Sequence, residues 1–314
     1  MPAVQDILAR HPQAKIDWVV ERAFAPLVTR CVGVNRVIPC ELRRWRKSPL
    51  SSATRAAWRS FKTDLQTQAY DWVIDAQGLT KSALIARCAR LTPQGQRVAM
   101  ANRTDGSGYE APTRWVADLA YTMPVHSHAV TRSRILCAMA LGYDMPETMT
   151  FGLEPLVNAD VQAPENRAKR VAFVHGTSRA DKEWPFEDWV ALGQRLHAQG
   201  LGVAILHGTD AEEARSHALA QRMQGAVVWP RLSLDALTDR MAGCAGVIGV
   251  DSGLSHIAVA LDLLHVQIYN FDTAWRTGPL PQGAPGMHTR QQTVFAQPKP
   301  SVDAVWQAWS KANS

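Results

Sequence analysis

Short apolar segments alternate with amphipathic ones in the second half of the chain, and this alternation constrains the fold more than any other feature. The segments Arg170–His175, Gly202–His207 and Gly246–Val250 are rich in Val, Ile and Leu on both faces, as strands are when helices cover both sides of their sheet. Alternating strands and helices favour parallel strands joined by right-handed crossovers. The sequence therefore predicts an α/β fold built on parallel sheets.

The same alternation extends over the rest of the chain in a weaker form. Further predicted strands are Ile16–Val20, Arg36–Ile38, Trp72–Asp75, Arg97–Ala99, Ala226–Val228 and Val266–Tyr269. Predicted helices are Met1–His11, Ser51–Gln68, Lys81–Leu91, Ala129–Leu141, Trp189–Gln199, Glu212–Met223, Leu234–Ala242 and Val302–Ala312. The chain thus opens on a helix, whereas a doubly wound domain normally opens on a central strand.

The length of 314 residues predicts two domains, at roughly 150 residues for each. A linker is indicated around Leu153–Arg170 by Pro155, Asn158, Asp160, Pro164, Glu165 and Asn166. We predict one Rossmann-like domain at residues 1–158, a second at residues 166–298, and a C-terminal helix at 299–314 that packs back on the first domain.

The charge balance predicts an anionic partner. The net charge is +6 and the pI is near 9.2, which suits a nucleotide, an anionic lipid or a nucleic acid. The five cysteines are odd in number and form no C-x-x-C pair, so neither a disulfide framework nor a zinc site is expected. We find no signal peptide and no apolar run of about 20 residues, so a cytoplasmic location is expected.

The segment Val247–His256 carries the strongest signal for a ligand site. A buried strand runs into Asp251, Ser252 and Gly253, and an apolar helix follows. A helix that begins after small residues offers free N–H groups and a positive dipole end to a diphosphate. His256 lies about one turn into this helix and would face the same site. The alternative is that Asp251 or Ser252 only caps the helix.

A second candidate loop follows the strand that ends at His175. Thr177 and Ser178 supply hydroxyl groups and Lys182 supplies a positive charge, and Pro185 then opens a helix. Such side chains bind phosphate oxygens at the carboxyl edge of an α/β sheet. The alternative is a polar surface loop with one lysine.

Two other segments have both a structural and a functional interpretation. Thr209 and Glu212 fit a capping box, whereas Glu212 alternatively accepts hydrogen bonds from ribose hydroxyls. The segment Arg43–Lys47 places four cations around Trp45, which suits an anionic glycolipid head group or is simply a solvated basic loop. We find no helix-turn-helix, zinc or RNA-binding signature, so nucleic acid is not predicted as a partner. No D-x-D pair occurs, so no metal–diphosphate site is predicted.

At these residues the sequence resembles the lipopolysaccharide heptosyltransferase I group of the inverting ADP-heptose glycosyltransferases, over essentially the whole chain. The motifs that carry the resemblance are Asp17–Glu21, Arg36–Pro39, Arg43–Lys47, Val73–Leu79, Asp181–Pro185 and Asp251–His256. The resemblance implies a GT-B fold, in which two Rossmann-like domains have parallel sheets that face each other across a cleft. It implies no cofactor and no metal.

The resemblance also implies a reaction and its substrates. Heptose would move from ADP-heptose to the Kdo sugar of a Kdo-lipid A acceptor, with inversion of the anomeric centre in a single displacement. The protein would work peripherally on the anionic cytoplasmic face of the inner membrane, in lipopolysaccharide inner-core synthesis.

The same resemblance assigns roles to residues of this chain. The implied acceptor-binding residues are Arg43, Arg44, Arg46 and Lys47, and the implied donor-binding residues are Thr177, Ser178, Lys182, Glu212, Leu232, Asp251, Ser252, Gly253 and His256. Among these, Glu212 would meet the ribose, and Leu232 would lie near the adenine, where a similar enzyme has Met.

The sequence departs from the family in two places. The family opens with a strand and a Gly-Asp loop whose Asp acts as general base, but Met1-Pro2-Ala3 aligns with the helix after that loop, and Asp6 lies on that helix. The family Asp is therefore expected upstream of Met1, no catalytic residue is assigned, and weak or no transfer is expected from this chain. Tyr269–Thr273 stands where the family has a Gly-Pro pair, so no donor-sugar contacts are assigned to this loop.

Three alternative functions remain open. A non-catalytic protein would bind ADP-sugar or the lipid A precursor without turnover. Another GT-B enzyme, such as heptosyltransferase II or a nucleotide-sugar epimerase, would require a different acceptor or none. A nicotinamide oxidoreductase is the third, because Gly106–Ala111 matches a dinucleotide G-x-G-x-x-A pattern in part, although it does not follow a strand directly.

Overall fold

The computed structural model describes residues 1–155, 169–280, 282 and 290–313. The chain divides into two compact units, Met1–Glu147 and Thr148–Ser314. The first unit ends at Glu147, which is 11 residues before residue 158, the predicted end of the first domain (158 minus 147). The rest of the predicted linker, at 156–168, lies outside the described residues.

The described strands of the first unit form two parallel sheets. In one sheet, β1 (Ile16–Glu21) pairs with β2 (Val34–Cys40). In the other, β4 (Leu91–Met100) lies between β3 (Tyr70–Asp75) and β5 (Leu119–Tyr121). The parallel α/β architecture predicted from the sequence is thus confirmed for the first half.

The helices of the first unit are α1 (Pro2–Arg10), α2 (Ala25–Val28), α3 (Leu42–Lys47), α4 (Ser52–Leu65), α5 (Thr80–Cys88), α6 (Thr113–Val116) and α7 (Ala129–Leu141). A buried ion pair joins the first of these helices to the last. The guanidinium of Arg134 on α7 donates two hydrogen bonds, of 2.6 and 3.0 Å, to the carboxylate of Asp6 on α1. Helix α1 is therefore fixed to its unit by charge as well as by its apolar face.

The second unit contains one six-stranded parallel sheet, with the order β11-β10-β9-β6-β7-β8. Its strands are β6 (Arg170–Val174), β7 (Gly202–Ile205), β8 (Val227–Val228), β9 (Gly246–Val250), β10 (His265–Tyr269) and β11 (Gln291–Phe295). The chain runs outward from β6 in one direction and from its neighbour β9 in the other. This reversal is the topological switch point, and ligands of open α/β sheets bind beyond the carboxyl ends of the strands there.

Helices cover both faces of this sheet, namely α8 (Phe186–Ala198), α9 (Asp210–Arg222), α10 (Leu234–Ala242), α11 (Gly253–Ala260), α12 (Ala274–Thr277) and α13 (Val302–Asn313). The side chains of β6 alternate between two cores. Phe173 packs with Trp184 and Trp189 in one core, and Val174 packs with Trp229 in the other. Burial on both faces explains why the strands are apolar throughout.

The C-terminal helix α13 belongs to the core of the second unit. Val305, Trp309 and Ala312 are buried in the same cluster as Phe173 and Ile268. The sequence predicts that this helix packs on the first domain. In the structure its apolar face packs on the β-sheet of its own unit.

Candidate functional site

The turn between β9 and α11 has the form that the sequence predicts for an anion site. Strand β9 ends at Val250 and helix α11 begins at Gly253, with Ser252 as the N-cap residue. No side chain caps this helix, and the Oγ of Ser252 is buried with no hydrogen-bond partner among the described residues. The simple capping role considered for Asp251 and Ser252 is therefore not what the structure has.

Gly253 leaves open space at this helix N-terminus, because a Cβ built there would meet no atom within 4 Å. The first N–H groups of an α-helix have no intrahelical acceptor. Together with the helix dipole they form a site suited to negative charge.

Asp251 is held by Lys182 across the switch point. The Nζ of Lys182 donates to Oδ2 of Asp251 at 2.5 Å, and the two side chains are 17% and 9% exposed. The Nε2 of His256 lies 3.8 Å from Oδ1 of the same carboxylate. The pKa of His256 is lowered, chiefly by partial burial of the imidazole. The negative charge of Asp251 opposes this shift, and the positive charge of Lys182 adds to it. The three side chains form one charged cluster at the ends of β6 and β9.

The loop that carries Lys182 is anchored at both ends. The Oγ1 of Thr177 donates to the backbone carbonyl of Asp251 at 3.2 Å. Two residues after Lys182, Trp184 is fully buried, and its Nε1 donates to the carbonyl of Pro300 at 2.9 Å. Ser178 lies between these anchors and is exposed. The structure thus brings together Thr177, Lys182 and the β9–α11 turn, as the sequence predicts.

Glu212 forms the predicted capping box at the start of α9. Its Oε2 accepts from the N–H groups of Gly208 at 2.7 Å and Thr209 at 3.2 Å, while the Oγ1 of Thr209 accepts from the N–H of Glu212 at 3.2 Å. The carboxylate also lies over Gly176, where a Cβ would be 2.5 Å from Oε1. Glu212 therefore connects the loop after β7 to the end of β6.

Leu232 lies in the loop that follows β8. It is partly buried and packs against the core that contains Trp229, Leu237 and Met241. Its neighbours make it part of an apolar surface that follows β8.

A shallow pocket is lined by the Lys182–Asp251 ion pair and by the loop Tyr269–Thr273. No site residue was predicted in this loop. The lining residues of the pocket are Lys182, Asp251, Ile268, Tyr269, Asn270, Phe271 and Thr273. The loop follows β10, the neighbour of β9, so its place at the carboxyl edge of a parallel sheet was the available signal. Just beyond the loop, the Oγ1 of Thr277 lies 3.4 Å from Oδ1 of Asp251.

The basic cluster forms an exposed surface on α3 of the first unit. The side chains of Arg43, Arg44, Arg46 and Lys47 are exposed, whereas Trp45 is buried. Trp45 packs against the rings of Trp58 and Phe61, each with its centroid 5.5 Å away. Arg44 forms an ion pair of 3.2 Å with Glu41. The buried tryptophan holds the short helix so that its cations face solvent.

The motif Val73–Leu79 contains a carboxylate that organises its own loop. Asp75 is buried and accepts hydrogen bonds from the N–H groups of Gln77 at 2.9 Å and Gly78 at 3.2 Å, and from Oγ of Ser82 at 2.9 Å. Burial raises the pKa of Asp75, against the effect of these three donors. The carboxylate therefore shapes the turn after β3.

The described residues contain neither a metal-binding cluster nor a membrane-spanning helix. No group of three or more His, Cys, Asp or Glu side chains is arranged to hold a metal ion in the described part of the chain. None of the described helices combines the length and apolar composition required to cross a bilayer.

Comparisons with known proteins identify the family. The model of glycosyltransferase family 9 (heptosyltransferase) matches residues 58–300. Lipopolysaccharide heptosyltransferase 1 of Pseudomonas aeruginosa is 37% identical over 308 residues, which cover 97% of this chain and 81% of that protein.

Solved structures agree with this match. Escherichia coli heptosyltransferase WaaC with ADP superposes with a TM-score of 0.86 at 31% identity, over 99% of this chain and 94% of that one. WaaC with ADP-2-deoxy-2-fluoro heptose gives a TM-score of 0.82 at 31% identity, over 100% of this chain and 94% of that one. The fold is therefore that of WaaC, a GT-B heptosyltransferase, and the chain belongs to glycosyltransferase family 9, the heptosyltransferases.

Proposed function

We propose that this protein transfers heptose from ADP-heptose to the Kdo sugar of a Kdo-lipid A acceptor, with inversion of the anomeric centre. The observation that carries the donor half of the proposal is the Lys182–Asp251 pair beside the uncapped start of α11. WaaC, at 31% identity, has been solved with ADP and with an ADP-heptose analogue.

The donor diphosphate would bind at this switch point. Lys182 supplies a positive charge, the start of α11 supplies free N–H groups, and Thr177, Ser178 and Ser252 supply hydroxyls. A charge-assisted hydrogen bond from lysine to phosphate is among the stronger polar contacts in proteins. Gly253 would allow the phosphate to approach the helix backbone closely.

The adenosine part would extend toward β7 and β8. Glu212 has its Oε2 bound to backbone N–H groups, so its remaining acceptor capacity would serve the ribose hydroxyls. Leu232 belongs to an apolar surface that would contact the adenine ring.

In the proposed reaction an acceptor hydroxyl gives its proton to a general base, for which no residue of this chain is assigned, and its oxygen attacks the anomeric carbon as the bond to the ADP oxygen breaks. The bonding electrons leave with ADP, whose growing negative charge Lys182 and the α11 dipole would stabilise. His256 and Asp251 would line the same site. Asp6 is not proposed as the general base, because its carboxylate is buried in the ion pair with Arg134.

The acceptor would bind through the basic cluster on α3. The exposed side chains of Arg43, Arg44, Arg46 and Lys47 suit the carboxylates of Kdo and the phosphates of lipid A. Leu50 follows the cluster and is 82% exposed, so an apolar group lies beside the cations, as in segments that rest on a membrane surface. We propose that the protein works peripherally at the anionic cytoplasmic face of the inner membrane.

A transfer assay with defined substrates tests the proposed reaction. The protein is incubated with ADP-heptose and Kdo-lipid A in detergent, and the lipid is analysed by mass spectrometry. Slow transfer is the expected result, because no general base is assigned in this chain; it is detected as a mass increase of one heptose on the lipid with stoichiometric release of ADP.

Other outcomes favour the alternative functions. Transfer only to an acceptor that already carries heptose would indicate a heptosyltransferase II. Consumption of the donor without an acceptor would indicate another nucleotide-sugar enzyme, such as an epimerase. Saturable binding of ADP-heptose in calorimetry would favour a non-catalytic binding protein if no acceptor tested is modified even by a variant extended at its N-terminus with the strand and Gly-Asp loop of the family.

A further inference from the structure

Two polar atoms of residues that line the pocket beside Lys182 are buried without a hydrogen-bond partner in the described part of the chain. They are the Oδ1 of Asn270 and the Oγ1 of Thr273, and both residues line the pocket. A buried polar atom without a partner lowers stability, so native proteins retain few of them. Two such atoms on residues that line one small pocket therefore require an explanation.

The orientation of the Asn270 amide is set by the neighbouring loop. Its Nδ2 donates to the carbonyl of Glu183 at 2.9 Å and lies 3.4 Å from the carbonyl of Asp181. Because the nitrogen is held by two carbonyls, the oxygen is the atom left for another donor. The loop after β10 is thus fixed to the loop that carries Lys182, with a hydrogen-bond acceptor directed elsewhere.

The chemistry of the pocket matches a sugar more closely than a phosphate. An amide oxygen is an acceptor only, and a threonine hydroxyl donates as well as accepts, which complements the hydroxyls of a sugar. The ring of Phe271 also lines the pocket and offers an apolar surface. The guanidinium of Arg179 lies 5.7 Å from the centroid of that ring, within the range of a cation–π contact.

We propose that Asn270 and Thr273 form a subsite that binds hydroxyl groups of the donor sugar and discriminates among sugars. The inference rests on the proposed function, because the same pocket contains Lys182 and Asp251, which would bind the diphosphate next to that sugar. Sugars that lack the matching hydroxyl would leave both oxygens unpaired, and a site built for a hydroxyl rejects such analogues strongly.

The ion pair between Lys182 and Asp251 lies in the wall of the pocket that contains the proposed subsite. Lys182 lines the pocket while its Nζ is bound to Asp251. When Nζ turns to a donor phosphate, its side chain leaves Asp251 and the pocket opens toward the sugar. Phosphate binding and sugar recognition would therefore be coupled through one side chain.

The substitution Thr273→Val tests the proposal with little change of shape. It removes only the hydroxyl, which has no partner among the described residues, so a purely structural role predicts an unchanged or higher Tm. We expect the Tm to hold. We expect the Kd for ADP-heptose, divided by the Kd for ADP, to rise about 2- to 12-fold, the range for one lost hydrogen bond.

Two further variants serve as controls for this ratio. Thr273→Ser keeps the hydroxyl and should keep the ratio close to that of the unsubstituted protein. Thr113→Val makes the same chemical change at another buried, unpartnered hydroxyl, in the first unit, and should leave both affinities unchanged.

The outcomes separate this inference from the proposed function. If Thr273→Val leaves the ratio of the two Kd values unchanged, the subsite is refuted, although donor binding stands. An equal loss of affinity for ADP and ADP-heptose would also refute it, because ADP carries no sugar at this position. If the unsubstituted protein binds neither ligand, the proposed function itself fails.

Discussion

The Nζ of Lys182 lies 2.5 Å from the Oδ2 of Asp251, although 69 positions separate the two residues in sequence. The contact forms because β6 and β9 are hydrogen-bonded neighbours and each residue belongs to the loop that follows one of these strands. Both loops therefore emerge at the same edge of the sheet. The ion pair therefore lies at the topological switch point and joins the two loops that meet there.

Replacing Lys182 by Ala is expected to weaken ADP-heptose binding by about 10- to 150-fold, which corresponds to one charge-assisted hydrogen bond. Isothermal calorimetry measures this change. Lys299→Ala provides a matched control, because Lys299 pairs with Asp188 in the same unit and is not proposed to bind the donor. An affinity that Lys182→Ala leaves unchanged would remove Lys182 from the site.

Replacing Gly253 by Ala is expected to reduce donor affinity roughly tenfold, about 1.4 kcal/mol, without lowering the Tm. A Cβ there meets no protein atom within 4 Å, so it would occupy the space that the diphosphate requires.

Gly249→Ala provides the contrasting case. Its Cβ would lie 2.4 Å from Oγ of Ser255 and 2.8 Å from Cβ of Val174, so we expect a loss of about 1–3 kcal/mol in the free energy of unfolding. A Gly253→Ala variant that binds the donor with unchanged affinity would show that the phosphate does not approach this backbone.

Replacing Arg43, Arg46 and Lys47 together by Ala is expected to abolish most binding to vesicles that contain Kdo-lipid A. Each cation near an anionic surface contributes about 1 kcal/mol, so three amount to roughly 100-fold. Co-sedimentation with the vesicles at physiological salt measures the loss, and the donor affinity should not change.

A triple substitution of Arg55, Arg59 and Lys62 removes the same charge from exposed positions of α4. It should retain more vesicle binding than the α3 variant. If the α3 variant instead loses ADP-heptose binding, the assignment of donor and acceptor to the two units is wrong.

The second unit is expected to lose stability as the pH falls from about 6.5 to about 4. Burial, with smaller effects from Arg215 and His207, lowers the pKa of His175 to about 4. Burial lowers the pKa of His265 to about 3, although its hydrogen bond to Gln291 opposes the shift.

The sign follows from which state binds protons. In this range the unfolded chain, whose histidines have a pKa of about 6.5, takes up protons that the folded protein does not. Each histidine therefore contributes a slope of up to about 1.4 kcal/mol per pH unit. Chemical unfolding across this pH range measures the slope, and His265→Asn should reduce it. His217→Asn, at an exposed position, should not.

Replacing Asp6 by Asn is expected to lower the free energy of unfolding of the first unit by about 3 kcal/mol, because it leaves the Arg134 guanidinium buried without its counter-ion. The two side chains are 4% and 7% exposed. Calorimetric unfolding measures the effect. Asp303→Asn, in an ion pair whose carboxylate is 72% exposed, should cost no more than about 1 kcal/mol. Equal effects of the two substitutions would contradict the prediction.

Most of the fold was predictable where the apolar pattern was strong. Strand Gly246–Val250 and helices Ala129–Leu141 and Leu234–Ala242 have the predicted boundaries. Strand Leu119–Tyr121 was missed because three residues carry no measurable period. Strand Gln291–Phe295 was missed because it lies at a sheet edge and begins with three polar residues, Gln-Gln-Thr, so it shows no apolar alternation.

The site was predictable as two phosphate-binding loops, but the side-chain contacts that join these loops were not. The motifs around Lys182 and Asp251 indicated phosphate binding separately. Their contact depends on the pairing of β6 with β9, which no local pattern contains. Asn270 and Thr273 were not predicted in the site, because Tyr269–Thr273 departs from the Gly-Pro pair of the family and its position beside Lys182 depends on the pairing of β10 with β9.

The hydrogen bond from Trp184 to Pro300 connects the loop that carries Lys182 to the C-terminal part of the chain. The indole, two residues from Lys182, is fixed in the core and bonded to the carbonyl just before α13. Ligand capture would then reorient the Lys182 side chain from Asp251 on a loop whose backbone Trp184 fixes two residues away. Changes at the far end of the chain that loosen this anchor would raise the entropic cost of capture without touching any ligand-binding group.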